Sequence, residues 1–278
     1  MKDKQLLIIL VLYKTRLDES LTYLSFKKNI EKINFGYDFL VYNNFSEIII
    51  ESSEEYTVVN VKNSGMLAEA YNYALQKANK EKKEWLLLLD QDTDITSAYI
   101  EELSAFLANP ECADITAAMP TLKYENIILS PKRIDNKRWK HYDLEKKKYY
   151  RGEKIIAYNS LTLIKTKFMY ELGGFSNDFP LDMLDYWYYN KIYEHNGKIY
   201  VFDSEITHDL SLLNYENNIS IERHANLLTA EKTFVRDYLG KKYRFSYNFS
   251  LLKRFIKEML FFKDKTYAKI TWSKLISQ

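Results

Sequence analysis

Three aspartates close the run WLLLLDQDTDI, residues 85–95. Five apolar residues, the mark of a buried strand, lead directly into Asp90, Asp92 and Asp94. Carboxylates two apart on extended backbone point to one face. Asp90 and Asp92 can therefore approach one hard cation such as Mg²⁺ or Mn²⁺, which takes oxygen ligands and bridges carboxylates to phosphates. Such an ion would neutralise charge developing on a diphosphate leaving group. The same residues can equally serve as the acidic start of the helix that follows, Ser97 to Leu107. A second carboxylate pair, Asp182 and Asp185, opens DMLDYWYYNKIYEHNG (182–197), which reads as a helix ending at Gly197. Residues three apart share a helix face; an acidic first turn meeting the helix dipole is the plain alternative.

The elements that must hold these groups follow from the apolar runs. LLIILVLY (6–13) reads as a fully buried strand, Asp18 to Lys32 as a helix with Leu21, Leu24 and Ile30 among its apolar positions, and YDFLVYNN (37–44) as a second strand. YTVVNV (56–61) is a third. GMLAEAYNYALQKANK (65–80) is a helix with Leu67, Ala70, Tyr71, Ala74 and Ala78 on one face. Strands alternating with helices predict a parallel sheet covered on both sides, and in such sheets ligands bind outside the carboxyl ends of the strands. Polar residues stand at all four ends: Tyr13-Lys14, Asn43-Asn44, Asn63-Ser64-Gly65 and Asp90-Gln91-Asp92. Their types suit a nucleotide. Further on, residues 113–122, 154–165 and 198–211 read as strands, and the strongly charged stretch 132–151 as a solvated excursion.

Composition sets the outer bounds. A chain of 278 residues has room for one large domain, or a domain with an appendage. Cys112 stands alone, so no internal disulfide can form, and no Cys/His cluster has zinc spacing. The N-terminal MKDKQLLIILVLYK has a charged start and an apolar run, but the run is short and lacks a small-residue cleavage site, so a strand is expected rather than a leader. No stretch is long enough to span a bilayer. The net charge of +2 is unevenly placed: residues 241–278 hold 10 Lys/Arg and 2 Asp/Glu, a local +8, leaving −6 for the rest. Such asymmetry points to a tail that meets an anionic surface. Within it FSLLKRFIKEMLFF (249–262) places Leu252, Phe255, Ile256, Met259 and Leu260 on one helix face, with Lys253, Arg254 and Lys257 toward the other. That pattern suits the plane of an anionic membrane, or a helix packed on the rest of the protein with a solvated basic face.

The order VLYK, VYNN, NSGMLAEAYNYAL, LLLLDQDTD, GGF and FPLDMLDYWYYNK resembles the family-2 glycosyltransferases of the GT-A fold. LDQDT is especially similar to the form found in bacterial rhamnosyltransferases of cell-surface polysaccharide and capsule synthesis. The resemblance covers roughly residues 5–211. It implies a mostly parallel central sheet flanked by helices, a GT-A catalytic domain at 1–211 (a nucleotide-sugar half to about 95, an acceptor half from 96), and a basic helical extension at 212–278.

What the resemblance implies for the site is specific. Asp90 and Asp92 match the family's metal-binding pair, with Asp92 the direct ligand, and Gln91 lies between them against the nucleotide sugar. Tyr13 and Asn43 match the base grip; Asn43 departs from the more usual Asp, though an amide can still pair with a pyrimidine edge. Asn63 and Gly65 match the loop at the diphosphate, leading into a helix whose N-terminus favours anions. Asp185 matches the general base and Asp182 its neighbour, while His208 falls where relatives place a metal- or diphosphate-binding histidine. YNSLTLIK (158–165) matches a donor- and acceptor-side segment, with Leu161 in a glycine's place, where a bulky side chain could reshape the acceptor side. Asn72, inside the helix, is expected to be structural.

The expected activity is inverting, Mn²⁺- or Mg²⁺-dependent transfer of a sugar, rhamnose from dTDP-rhamnose, onto a glycan or lipid-linked acceptor. The expected location is the cytoplasm, peripheral at the inner face of a bacterial membrane, with no nucleic acid as partner. The alternatives are a UDP-hexose donor, a non-catalytic nucleotide- or glycan-binding protein, and a nucleic-acid-binding tail.

Overall fold

Seven consecutive buried apolar residues make strand β1 (Leu6–Leu12) the spine of the protein. A strand buried on both faces belongs in the middle of a covered sheet, and β1 lies between β2 (Tyr37–Asn43) and β4 (Trp85–Leu89), parallel to both. The computed structural model describes residues 5–62, 66–134, 141–207 and 219–277.

These residues divide into two compact units, each with its own core. The larger contains residues 5–133 and 143–207; the smaller is built mainly from 219–277. The large sheet runs β3 (Thr57–Asn60), β2, β1, β4, β11 (Thr162–Lys165), β5 (Ala117–Tyr124), β12 (Lys198–Thr207), β9 (Lys148–Arg151), with β6 (Ile127–Ser130) paired to β5. The first four strands are parallel, as expected. Beyond β4 the sheet is mixed, because β11 runs antiparallel to both of its neighbours. Helices α1 (Leu21–Lys28), α2 (Leu67–Lys80), α3 (Ser97–Ala108), α4 (Thr166–Glu171) and α5 (Leu184–Glu194) complete the unit. Helix α2 buries Ala68, Ala70, Tyr71, Ala74, Leu75 and Ala78, and the four alanines allow close approach to the sheet.

Four expectations need correction. The helix expected over 18–32 is three pieces: Ser20 caps α1 by accepting from Tyr23 N, and Asn29 ends it, its amide donating to the Ser25 carbonyl. The strand expected over 154–165 is β10 (Ile155–Ile156) and β11, split by a turn at 158–161. The charged excursion contains β7 (Lys132–Ile134), β8 (His141–Asp143) and β9; residues 135–140 lie outside the described set. Finally, α5 begins at Leu184, because Met183 before it holds a left-handed φ of 66°. Asp182 is thus outside the helix, and the shared-face argument for Asp182 and Asp185 fails.

In the smaller unit α6 (Ile221–Phe234) runs into a π-helical turn, Val235–Leu239, and is followed by α7 (Lys241–Phe261) and α8 (Thr266–Ile276). Leu228, Phe234, Tyr243, Tyr247, Leu251 and Tyr267 form its buried centre. No helix among the described residues is long and apolar enough to cross a membrane.

Candidate active site

Strand order 3-2-1-4 reverses direction between β1 and β4, and such a reversal opens a crevice at the carboxyl ends of the strands. Parallel register pairs Leu12 with Asn43, Asn43 with Asn60, and Leu10 with Leu89, which brings Tyr13, Asn43-Asn44 and Asp90-Gln91 to one edge. The link across the crevice is direct: the Tyr13 N–H donates to Gln91 Oε1 at 2.8 Å. Gln91 therefore uses its side-chain oxygen to tie β1 to β4.

The acidic loop is not a continuation of the strand. β4 ends at Leu89, and Asp90 to Asp92 turn away, leaving Asp90 half-buried and Asp92 exposed. The alternation argument for a shared face therefore does not apply; the turn brings the two carboxylates together. A polar stripe on and beside α1 fixes it. Ser20 Oγ donates to the Gln91 carbonyl at 2.9 Å, and Thr22 Oγ1 donates to the Asp90 carbonyl at 2.5 Å while accepting from Thr93 N at 2.8 Å. Ser25 Oγ accepts from Ile95 N, and the Asn29 amide donates to the Ile95 carbonyl, each at 2.9 Å. These four residues are absent from the sequence-based site. Their signal is faint: small polar side chains at 20, 22 and 25 on a helix that must pack against a buried sheet.

Asp185, in the first turn of α5, faces the same cleft. Burial, then the charges of Asp92 and Asp185, push the Asp90 carboxyl up to about 7. Burial, with a further rise from Asp182, likewise pushes Asp185 up to about 7, against the opposing hydrogen bond from Tyr186 N at 2.8 Å. Three carboxylates from two separate elements thus converge, and each additional negative charge is costly there. The Tyr71 hydroxyl, fully buried on α2, leans toward Asp90 and favours its charged form without reaching hydrogen-bond geometry. Tyr188, one turn beyond Asp185, also buries a hydroxyl without a partner. Asp182 is half-exposed.

A divalent ion fits this chemistry. Among the described residues no group of three or more His, Cys, Asp or Glu side chains is arranged to hold a metal. Mg²⁺-type sites at phosphates, however, use one or two carboxylates with the substrate supplying the rest. Asp90 and Asp92 are such a pair, and the raised proton affinity of Asp90 is what a cation would relieve. His208, Asn63 and Gly65 lie outside the described residues.

On the other side of the crevice Tyr13 is half-exposed and meets Phe45 edge-on at 6.0 Å, with Lys14 Nζ 5.2 Å from the Tyr13 ring centroid. Asn43 behaves differently from the expected base grip. It is buried, its amide donating to the Ile48 carbonyl at 2.5 Å and to Asn60 Oδ1 at 2.8 Å, while its oxygen accepts from Phe45 N at 3.2 Å. Its polar atoms hold the loop that carries Phe45 rather than facing outward.

The 158–161 turn closes the site from β11. Ser160 Oγ and Thr93 Oγ1 share a buried hydrogen bond of 2.5 Å, and the Leu161 carbonyl accepts from Tyr99 Oη at 3.0 Å. Leu161 has φ 60° and a fully buried side chain in the core with Tyr99 and Leu163. It adopts the backbone a glycine would, and its bulk points into the core instead of reshaping the acceptor side. Asn72 is structural, as expected: its side chain accepts from Phe175 N at 2.8 Å and donates to the Phe175 carbonyl at 2.9 Å. Gly174 has φ 98°, and a Cβ there would collide with Asn72 Oδ1.

No protein-family model matches the chain, and no curated protein matches it by sequence. Among solved structures it is similar to a mannosyltransferase from Pyrobaculum calidifontis in complex with GDP-Man and Mn²⁺. The TM-score is 0.57 at 15% identity, covering 97% of this chain and 79% of that one. The likeness shows the fold: a GT-A-like α/β sheet with a helical C-terminal region.

Proposed function

We propose that the protein is an inverting glycosyltransferase that moves a sugar from a nucleoside diphosphate onto a glycan or lipid-linked glycan. The observation that carries this reading is the convergence of Asp90 and Asp92, after β4, with Asp185, from α5, at the switch point of a GT-A-like sheet. The structural neighbour's GDP-Man and Mn²⁺ support a nucleotide-sugar donor and a divalent ion here as well. The motif LDQDT favours dTDP-rhamnose as the donor and cell-surface polysaccharide as the product. Residues 1–211 are the catalytic part in this reading. Residues 212–278 are an extension that meets the inner face of a bacterial membrane.

The chain's own residues have distinct tasks. Tyr13 and Phe45 offer aromatic surface to the base. Asp90 and Asp92 would hold Mn²⁺ or Mg²⁺, which when bound stabilises charge on the departing diphosphate. Asp185, poised near neutrality, accepts the acceptor hydroxyl proton as its oxygen attacks the anomeric carbon from the face opposite the diphosphate, so configuration inverts. Asp182 keeps that carboxyl basic. Asn63, Gly65 and His208 would complete the diphosphate side.

The test is calorimetric titration with dTDP, UDP and GDP, with and without Mn²⁺, beside Asp92→Ala. Metal-dependent binding of dTDP, lost in the variant, is the expected result. Preference for UDP or GDP would overturn rhamnose and keep the transferase. A GDP- or UDP-linked donor is the second reading, favoured by the internal engagement of the Asn43 amide, which leaves the base edge to other groups. Binding of none of the three would overturn the donor site altogether.

A further inference from the structure

Helix α7 is apolar on two opposite faces. One face, with Tyr243, Tyr247 and Leu251, is buried within the smaller unit. The other carries Phe245, Phe249, Ile256, Met259 and Leu260, which are 83%, 53%, 48%, 43% and 69% exposed. At 100° per residue these five fall on one stripe, diametrically opposite the buried one. A contiguous exposed apolar stripe of this kind marks an interaction surface.

We propose that this outward stripe of α7 lies on the surface of an anionic phospholipid bilayer, inserted to the depth of its side chains and not across it. Charge complementarity selects this occupant. Residues 241–278 carry a net +8, and Lys253 and Lys257 are exposed along one border of the stripe. Lys253 Nζ lies 4.6 Å from the Phe249 ring centroid, its stem running along the apolar surface with the charge at the edge. Arg254, by contrast, turns inward to pair with Glu231 at 3.1 Å and belongs to the fold. The apolar surface continues onto α8: Phe255 meets Trp272 at 5.0 Å, and Trp272 is 44% exposed. Tryptophan beside a basic apolar face is the composition of a membrane–water interface. The inference deepens the membrane contact in the reading above and assigns it to a specific face; it does not depend on the donor sugar or on transfer.

The experiment is vesicle co-sedimentation of the full chain, without nucleotide, on phosphatidylcholine alone and on phosphatidylcholine mixed with phosphatidylglycerol. Wild type is expected on the anionic vesicles, released by salt. Phe245→Ser with Leu260→Ser, both exposed and checked for an unchanged melting curve, should weaken partitioning by more than about tenfold. Lys253→Glu with Lys257→Glu should abolish the preference for anionic lipid. Wild type that ignores anionic vesicles, or variants that bind undiminished, overturn the proposal. So does a wild-type dimer in solution that the Phe245/Leu260 variant breaks, since the stripe would then be a self-interface. Nucleotide binding measured on the same preparations separates this failure from failure of the transferase reading.

Discussion

At the scale of single residues, the proposed mechanism puts two opposed demands on Asp185. A base must be charged to take a proton, yet burial and Asp182 hold this carboxyl near 7, well above its ordinary 3.8. Between those values the folded state keeps a proton that the unfolded chain releases. The residue's contribution to stability is therefore full below about 3.8 and is lost as pH rises through 7. Asp185→Asn removes that titration. The variant should be more stable than wild type at pH 8 by about 1–3 kcal/mol, with a much smaller difference at pH 4, in denaturant melts. The same change should lower transfer by about 10²–10⁴-fold, and the wild-type rate should rise with pH through an apparent value near 7. A variant with unaltered activity removes Asp185 from the mechanism. Leu161 is the contrasting residue, because its role is packing. Leu161→Gly relieves a left-handed φ but empties a core site, so a net loss of about 2–4 kcal/mol is expected, with no change in acceptor preference. A shift in acceptor preference at unchanged stability would return Leu161 to the acceptor side.

At the scale of elements, the strands that position the site were legible and the devices that hold it were not. Wholly apolar runs such as 6–12 and 85–89 are too short for a helix or a leader, which leaves a strand buried on both sides, and the polar residues that end them mark the rim. Helix α2 was legible by its period. The breaks were hidden because side-chain bonds and backbone conformation make them: Ser20 caps the start of α1 and ties it to the Gln91 carbonyl, Asn29 closes its end on the Ser25 and Ile95 carbonyls, Met183 and Leu161 take left-handed φ without being glycine, and the Asn43 amide turns inward to Ile48 and Asn60. The most consequential hidden device is Thr22, which bridges the Asp90 carbonyl and the Thr93 N–H from a different helix. Thr22→Val keeps the shape and leaves both groups unmet, at a cost of about 1–3 kcal/mol. Because the loop it holds carries both aspartates, metal-dependent nucleotide affinity should fall by about tenfold or more, beyond what the stability loss explains. Equal affinity in the two proteins would make the clamp merely structural.

At the scale of the whole molecule, two units with separate cores should respond differently to acid. The smaller unit buries His224 completely, its Nε2 3.1 Å from Thr271 Oγ1 and 3.7 Å from Glu258 Oε1, with the Tyr267 ring beside it. Burial first, and the Arg254 charge second, depress the imidazole from 6.5 to about 4. The folded state therefore refuses a proton that the unfolded chain accepts between those values. The stability this provides is whole above pH 6.5 and is lost progressively as pH falls to about 4, a total of about 3 kcal/mol. Glu258 acts in the opposite sense: burial raises its carboxyl, so its cost is felt as pH rises and fades in acid. The imidazole dominates the descent because its interval spans the range from neutral to mildly acidic pH. Calorimetry should accordingly give a single broad transition near pH 7 and an early, separate transition of the helical unit near pH 5, visible as loss of helical ellipticity before the larger unit melts. His224→Phe, which keeps the ring contact with Tyr267 and cannot be protonated, should abolish the early transition. If both proteins melt alike at pH 5, the acid sensitivity of the helical unit lies elsewhere than in His224.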